Sequence, residues 1–173
     1  MVLAENGDND TVAKMCRNLS LIMRYITDTG STTVSLADEL DYVQKYLYCM
    51  KVRYQSSLNY NIDVDESLLS QPVPKLIIQP IVENAFIHGL EEKNGNGTIK
   101  ISGILNDEEE TVLFMIHDNG VGMTRAQIEK ALDPPPGTKG SFGLSSVHKR
   151  LQLLYGTDFG LKILSDPGKG TTI

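Results

Sequence analysis

At Leu58 the apolar residues change their period, and few two-layer architectures tolerate that change. Upstream, Val12, Met15, Cys16, Leu19, Ile22, Met23 and Ile26 fall on one stripe of a helix over residues Thr11 to Thr27. A second stripe follows: Leu36, Leu40, Val43, Leu47, Met50 and Tyr54. Ser35 opens that helix, with Asp38 and Glu39 near the position where a capping box takes an acid. Gly30 and the Ser/Thr run around it separate the two. From Leu58 the spacing falls to two, and Leu58, Tyr60, Ile62 and Val64 alternate with polar residues as in a half-buried strand. A helical hairpin therefore leads into a sheet. Neither helix buries its stripe alone, so each needs a partner.

The remaining punctuation extends the pattern. "QPVPKLIIQPIVENAFIHG" reads as a helix from about Pro74 to His88, with Pro74 in its first turn and a kink at Pro80. "GTIKISGIL" and "TVLFMI" form a hairpin across the acidic turn "NDEEE". Thr124 caps a short helix, with Gln127 three residues on. "DPPPGTKG" is a loop, because three successive prolines cannot lie inside a helix. "GLSSVHKRLQLLY" is a further helix ended by Gly156, and "FGLKILS" and "GTTI" are two more strands. The order predicts an α/β (α+β) two-layer sandwich: a mixed sheet with helices on one face, preceded by a helical segment. The division expected is residues 1–56 for the helical segment and 57–173 for the sheet-bearing domain.

Bulk properties remove several functions. No run approaches the roughly 18 apolar residues of a spanning helix, and "MVLAENGDND" lacks the basic start and apolar stretch of a signal peptide. A formal net charge of −6 over 173 residues argues against a nucleic-acid partner. Cys16 and Cys49 sit among apolar residues in helical patterns and read as small hydrophobes. No Cys/His group has zinc-ligand spacing.

Four features fall at joints between elements: "VENAFIHG" near a helix end, with Glu83, Asn84 and His88; "DNGVGM" at a strand end; "GSFGL", Gly140 to Leu144, at a helix start; and "GKGTTI" at a glycine hairpin. Singly, each is an ordinary turn, loop joint or polar helix face. As an ordered set they resemble the ATP-binding domain shared by sensor histidine kinases, gyrase-type ATPases and their relatives. "LSLIMRY", "VSLADELDYVQKYL" and "PKLIIQPIVENAFIHG" extend the likeness to bacterial sensor kinases of the autolysin-regulator type. The resemblance runs from about Leu3 to Ile173.

The resemblance implies ATP and Mg²⁺ as ligands. Asp118 matches the acid that accepts a hydrogen bond from the adenine amino group; a carboxylate only accepts, so it rejects guanine, which presents a carbonyl there. Gly120 and Gly122 match the glycines that let the backbone approach the purine. Met123 packs against the base or the lid. Thr171 matches the threonine whose hydroxyl joins Asp118. Asn84 matches the Mg²⁺ ligand, and His88 a residue near ribose or phosphate. Gly140, Ser141, Phe142, Gly143 and Leu144 match the lid end over the triphosphate, with helix-start amides facing it. Ser141 and Ser146 depart from the glycine and asparagine common in relatives. In gyrase-like relatives the water-activating Glu lies one helical turn before the Asn, where this chain has Pro80; Glu83 is adjacent to Asn84 and points about 100° away.

The phosphoacceptor histidine of such kinases lies ahead of the first helix read here. His88, His117 and His148 lack its context. The expectation is therefore a fragment: a dimerisation-helix remnant plus the catalytic domain, unable to label itself. It would be a cytoplasmic piece of a homodimeric parent that is anchored in the bacterial inner (cell) membrane and passes its phosphoryl group to a response regulator receiver domain.

Overall fold

The computed structural model describes residues 7–106, 111–135 and 142–173. The acidic turn and the glycine-rich approach to "GSFGL", including Lys139, Gly140 and Ser141, lie outside the described residues.

Helix α1 spans Asn9–Thr27 and starts ahead of its apolar stripe, because the Asp8 carboxylate accepts from the Thr11 amide at 3.1 Å. Strand β1 (Thr33–Ser35) leads into α2 (Leu36–Tyr54). There Ser35 and Asp38 satisfy each other's backbone donors as a capping box. Gln55 takes a positive φ of 52°, and a short 3₁₀ turn hands the chain to β2 (Leu58–Val64).

Strand β3 (Pro72–Pro74) then pairs antiparallel with β1, Val34 opposite Val73. This small ladder corrects the helix expected from Pro74. Pro74 closes a strand, Leu76 takes φ +60°, and helix α3 begins only at Gln79 and runs to Asn84. Pro80 thus sits in the first turn, where its missing amide hydrogen has no partner to lose. After Asn84 the coil widens into a π-helix, Ala85–Leu90, then tightens to a 3₁₀ turn, Glu91–Lys93. Such widenings recur at functional sites.

Strands β4 (Gly97–Asn106) and β5 (Thr111–Asp118) form the long antiparallel pair. Helix α4 (Arg125–Leu132) carries the expected Thr124–Gln127 capping box, and α5 spans Phe142–Tyr155. Of "FGLKILS" only the end is a strand: β6 covers Leu164–Asp166. Residue Leu161 is tied instead to α5, its amide donating to His148 Nδ1 at 3.0 Å. Strand β7 (Gly170–Thr172) closes the chain.

The five-stranded sheet has the order β2-β4-β5-β7-β6. Only β2 and β4 run parallel, joined through α3; the other neighbours are antiparallel. One face carries Leu58, Ile99, Ile101 and Ile116 against Val82, Phe86, Leu90, Leu144 and Val147. On the other face Ile104, Leu113 and Met115 are exposed. Alternation along β4 and β5 therefore describes a sheet covered on one side. Leu36, Val43 and Leu47 of α2 belong to the same buried cluster. Helix α1 turns Asn18 and Ile22 inward but leaves Leu19, Met23 and Ile26 of its stripe exposed.

Leu47 is fully buried, so Leu47→Ala should cost about 2–5 kcal/mol of unfolding free energy in urea titration. Leu153→Ala, at an 86% exposed position, should stay within about 0.5 kcal/mol of the parent chain.

Candidate functional site

Asp118 is the last residue of β5 and is 2% exposed. Its neighbours across the sheet are Ile99 of β4 and Thr171 of β7. The carboxylate accepts from the Gly120 amide at 2.8 Å and from the Thr171 amide. Burial nevertheless dominates and pushes its pKa above the usual carboxylate value; these amides, His117 and Lys93 offset only part of that.

The acid is walled by glycines, and each has a reason. A Cβ on Gly89, in the π-helix, would come within 2.7 Å of Asp118 Oδ1. A Cβ on Gly120 would collide with the Gly89 backbone, whose carbonyl accepts from the Val121 amide at 2.9 Å. Gly170 takes φ +94°, and a Cβ there would strike the Asp118 carbonyl. Gly122 takes φ +70° against the Asp166 carbonyl. These contacts lock the loop after β5 between the π-helix and the β6–β7 hairpin.

Ser165 completes that lock. Its hydroxyl lies 2.9 Å from Thr171 Oγ1, donates to the Gly170 carbonyl at 2.8 Å, and accepts from the Met123 amide at 2.8 Å. Thr171 is buried, and Met123 is half-buried beside it. Asn119 holds β4 from the other side: its Oδ1 accepts from the Thr98 amide at 2.8 Å, and its carbonyl accepts from Lys93 Nζ at 2.9 Å.

Asn84 ends α3, half-buried, and makes no side-chain hydrogen bond among the described residues. His88 is exposed one turn further on. Glu83 is half-buried; desolvation raises its pKa, against a hydrogen bond from Gln79. Its charge bears on the Tyr42 and Tyr46 hydroxyls of α2, and burial with that charge pushes Tyr42 up to about 12. Phe142 heads α5. Gly143 follows, with Pro80 Cβ only 3.9 Å from where its own Cβ would stand, so α5 starts against the first turn of α3. Leu144 is buried in the core. The fold thus brings Gly89, Asp118, Gly120, Gly122, Met123 and Thr171 together at one end of the sheet, and Asn84 stands one residue ahead of the π-helix that carries Gly89. His117 is directed elsewhere, with Nδ1 3.0 Å from Thr172 Oγ1.

Two residues of this frame carry no role in the sequence reading: Gly89 and Ser165. Gly89 stands in the quoted "IHG", where a glycine after a helical run passes for a stop signal. Ser165 is one serine in an ordinary strand. A groove of about 300 Å³ lies between α1 and α2, lined by helical-segment residues including Tyr25, Tyr42 and Lys45, and none of the Asp118 frame borders it.

The geometry is that of a buried acid at a strand end, framed by glycines, on an α/β domain with a mixed sheet covered on one face. Comparison with known proteins gives the family. The family described as histidine kinase-, DNA gyrase B-, and HSP90-like ATPase matches residues 71–173, and the histidine kinase family matches residues 1–58. The chain belongs to the histidine kinase-, DNA gyrase B- and HSP90-like ATPase family. An uncharacterized sensor-like histidine kinase of Staphylococcus epidermidis is 32% identical over 158 residues, which are 90% of this chain and 30% of that protein. The sensor histidine kinase BtsS of Escherichia coli is 31% identical over 166 residues, 96% of this chain and 28% of that protein. The chain therefore spans about 30% of the length of these relatives. The histidine kinase domain of the Erythrobacter litoralis EL346 blue-light activated histidine kinase shares the fold, with TM-score 0.55 and 17% identity over 99% of this chain and 81% of that one.

Because burial raises the Asp118 pKa, the stability this group contributes is present in full below the ordinary carboxylate value and is lost as pH rises through the folded-state value. A carbon-13 titration of the Asp118 carboxyl should show a midpoint above 3.8; a midpoint at or below 3.8 overturns that reading.

Proposed function

We propose that the chain binds ATP with its adenine read by Asp118, and donates the γ-phosphoryl group to a histidine outside these residues. The buried Asp118, paired with Thr171 inside a frame of glycines, carries the proposal. A desolvated, acceptor-only group discriminates strongly, because a base presenting a carbonyl would leave both groups unpaired. Gly120, Gly122 and Met123 form the wall beside the base. Thr171 supports the acid through its amide, with its hydroxyl held by Ser165. His88 faces ribose or phosphate from solvent. Gly140, Ser141, Phe142, Gly143 and Leu144 would supply the lid end, the last three of them as the first turn of α5.

Asn84 fits a Mg²⁺ ligand: it is half-buried, neutral, and without a side-chain partner among the described residues, and Mg²⁺ takes its other oxygens from water and phosphates. The ion would supply charge neutralisation on the phosphates. In the transfer step, a ring nitrogen of the acceptor histidine forms the new P–N bond. The bond from Pγ to the bridging oxygen breaks, ADP leaves, and the ring gives up a proton.

Glu83 supports a kinase rather than a hydrolase. Its charge bears on the Tyr42 and Tyr46 hydroxyls of α2, and the position one turn before Asn84 is Pro80, which activates no water. We assign residues 1–56 to the dimerisation-derived segment and 57–173 to catalysis. In the parent this region would sit at the cytoplasmic face of the inner (cell) membrane, work as a homodimer, and hand the phosphoryl group to a response regulator receiver domain. No helix among the described residues is long and apolar enough to cross a membrane.

Mg-ATP at a hundred-fold excess over Kd should raise the melting midpoint by roughly 5 to 10 °C. Asp118→Asn should remove most of that rise; an unchanged rise would place the adenine elsewhere. Incubation with γ-labelled ATP should leave the chain free of phosphohistidine. Stable label on His88, His117 or His148 would refute the external acceptor.

A further inference from the structure

The turn that launches α3 is built around a side chain from another helix. Glu39 of α2 is fully buried. Its carboxylate accepts three consecutive amides: Leu76 at 2.6 Å, Ile77 at 3.1 Å and Ile78 at 3.3 Å. Successive amides around an anion form a nest, and this one is filled from within the protein. Leu76 holds φ +60°, a left-handed conformation that a bulky residue keeps only where its surroundings impose it. The α3 helix reached through this turn ends on Asn84.

The same carboxylate is also held from α1. Tyr25 Oη donates to Glu39 Oε1 at 2.5 Å. A second link runs parallel: Lys75 Nζ donates to the Asp28 carbonyl at 2.6 Å and to Asp28 Oδ2 at 3.3 Å, and lies 4.6 Å from the Tyr25 ring centroid. On the other side Arg150 of α5 donates to the Lys75 carbonyl at 2.7 Å. The end of α1, the start of α3 and the middle of α5 therefore meet at four residues, Lys75 to Ile78.

We propose that Glu39 and Tyr25 are positioning residues for the nucleotide site, through which displacement of α1 resets α3, and with it Asn84, and so changes the affinity for Mg-ATP. The inference rests on the ATP-binding reading given above. Physically, an isolated buried carboxylate is costly, so Glu39 must keep its donors together. Any movement that withdraws the Tyr25 hydroxyl leaves the amide nest to compensate, so the carboxylate that holds the Leu76 amide shifts toward the nest and the turn shifts with it. Coupling of this kind is reciprocal, so nucleotide must tighten the α1 end by the same factor.

The test uses Tyr25→Phe, which keeps the ring stacked 4.8 Å from Tyr42 and over Lys75 and deletes one hydroxyl. Glu39→Gln is the harsher companion, and both are compared with the parent chain and with Asp118→Asn. Calorimetry with Mg-ATP should show Kd raised about five-fold or more by Tyr25→Phe, the lower range of site-to-site coupling. Hydrogen exchange should quicken at the amides of Leu76 to Ile78 without nucleotide. Mg-ATP should protect the end of α1 in the parent but not in Tyr25→Phe. A Tyr25→Phe Kd within about two-fold of the parent, with ATP-induced protection of α1 retained, overturns the inference and leaves Glu39 a purely structural cap, even if Glu39→Gln unfolds. Absence of Mg-ATP binding by the parent chain overturns the nucleotide-site reading and this inference with it. Binding by the parent with an unmoved Tyr25→Phe overturns this inference alone.

Discussion

Burial of the Asp118 carboxylate governs the geometry of everything around it. A desolvated acid at a strand end is stable only where amides meet it and nothing bulky intervenes. Gly120 and Thr171 supply the amides. Gly89, Gly120 and Gly170 supply the absence of side chains, and a Cβ at any of them would reach Asp118 or its supporting backbone. That requirement fixes how near the π-helix approaches β5, how the loop after β5 folds, and how β7 is registered. The pairing of Asp118 with Thr171 is then a consequence of one crowded point more than of strand length, since β7 has only three residues.

Legibility in the sequence followed the range of the forces involved. Capping at Ser35 and Thr124 depends on residues three apart, and both boxes form as their spacing predicts. The alternation from Leu58, and along the two long strands, reports burial of one sheet face and is equally local. The β1–β3 ladder was hidden because three-residue strands show no period. Pro74 and Pro80 could each open a helix, and the β1–β3 ladder at Pro74 together with the contact between Glu39 and the Leu76–Ile78 amides decides for the second. Glu39 itself looked like a capping acid. Asp38 takes that role, and Glu39, three residues after Leu36 on the apolar stripe, turns into the core. An acid on a buried stripe was the available signal. At the site, the motif order singled out Asp118, Gly120 and Gly122, which the fold brings into one frame with Gly89. Ser165 was not legible, because its function comes from lying across from Thr171 in a hairpin.

The helical segment and the sheet-bearing part share one hydrophobic cluster. Leu36, Val43 and Leu47 pack with the buried residues of β2 and α3. Continuity of this kind means that α2 cannot shift as a rigid rod without disturbing the base of α3. By contrast α1 buries Asn18 and Ile22 and meets α2 through Lys14 over the Tyr48 ring and Tyr25 on Glu39, while Leu19, Met23 and Ile26 stay exposed. The chain therefore grades from a packed core to a helix held along one edge. An element held so lightly is the one whose position a small free energy can alter.

The position of Glu83 bears on what kind of chemistry the site favours. A base that activates water must face the phosphate. Glu83 is half-buried, desolvation raises its pKa, and its charge bears on the Tyr42 and Tyr46 hydroxyls of α2. Asn84, one residue on, is rotated about 100° around the helix from it. The two side chains therefore leave the helix in different directions, and the position one turn before Asn84 holds a proline with no carboxylate, which is why the proposed reading is phosphoryl transfer rather than hydrolysis.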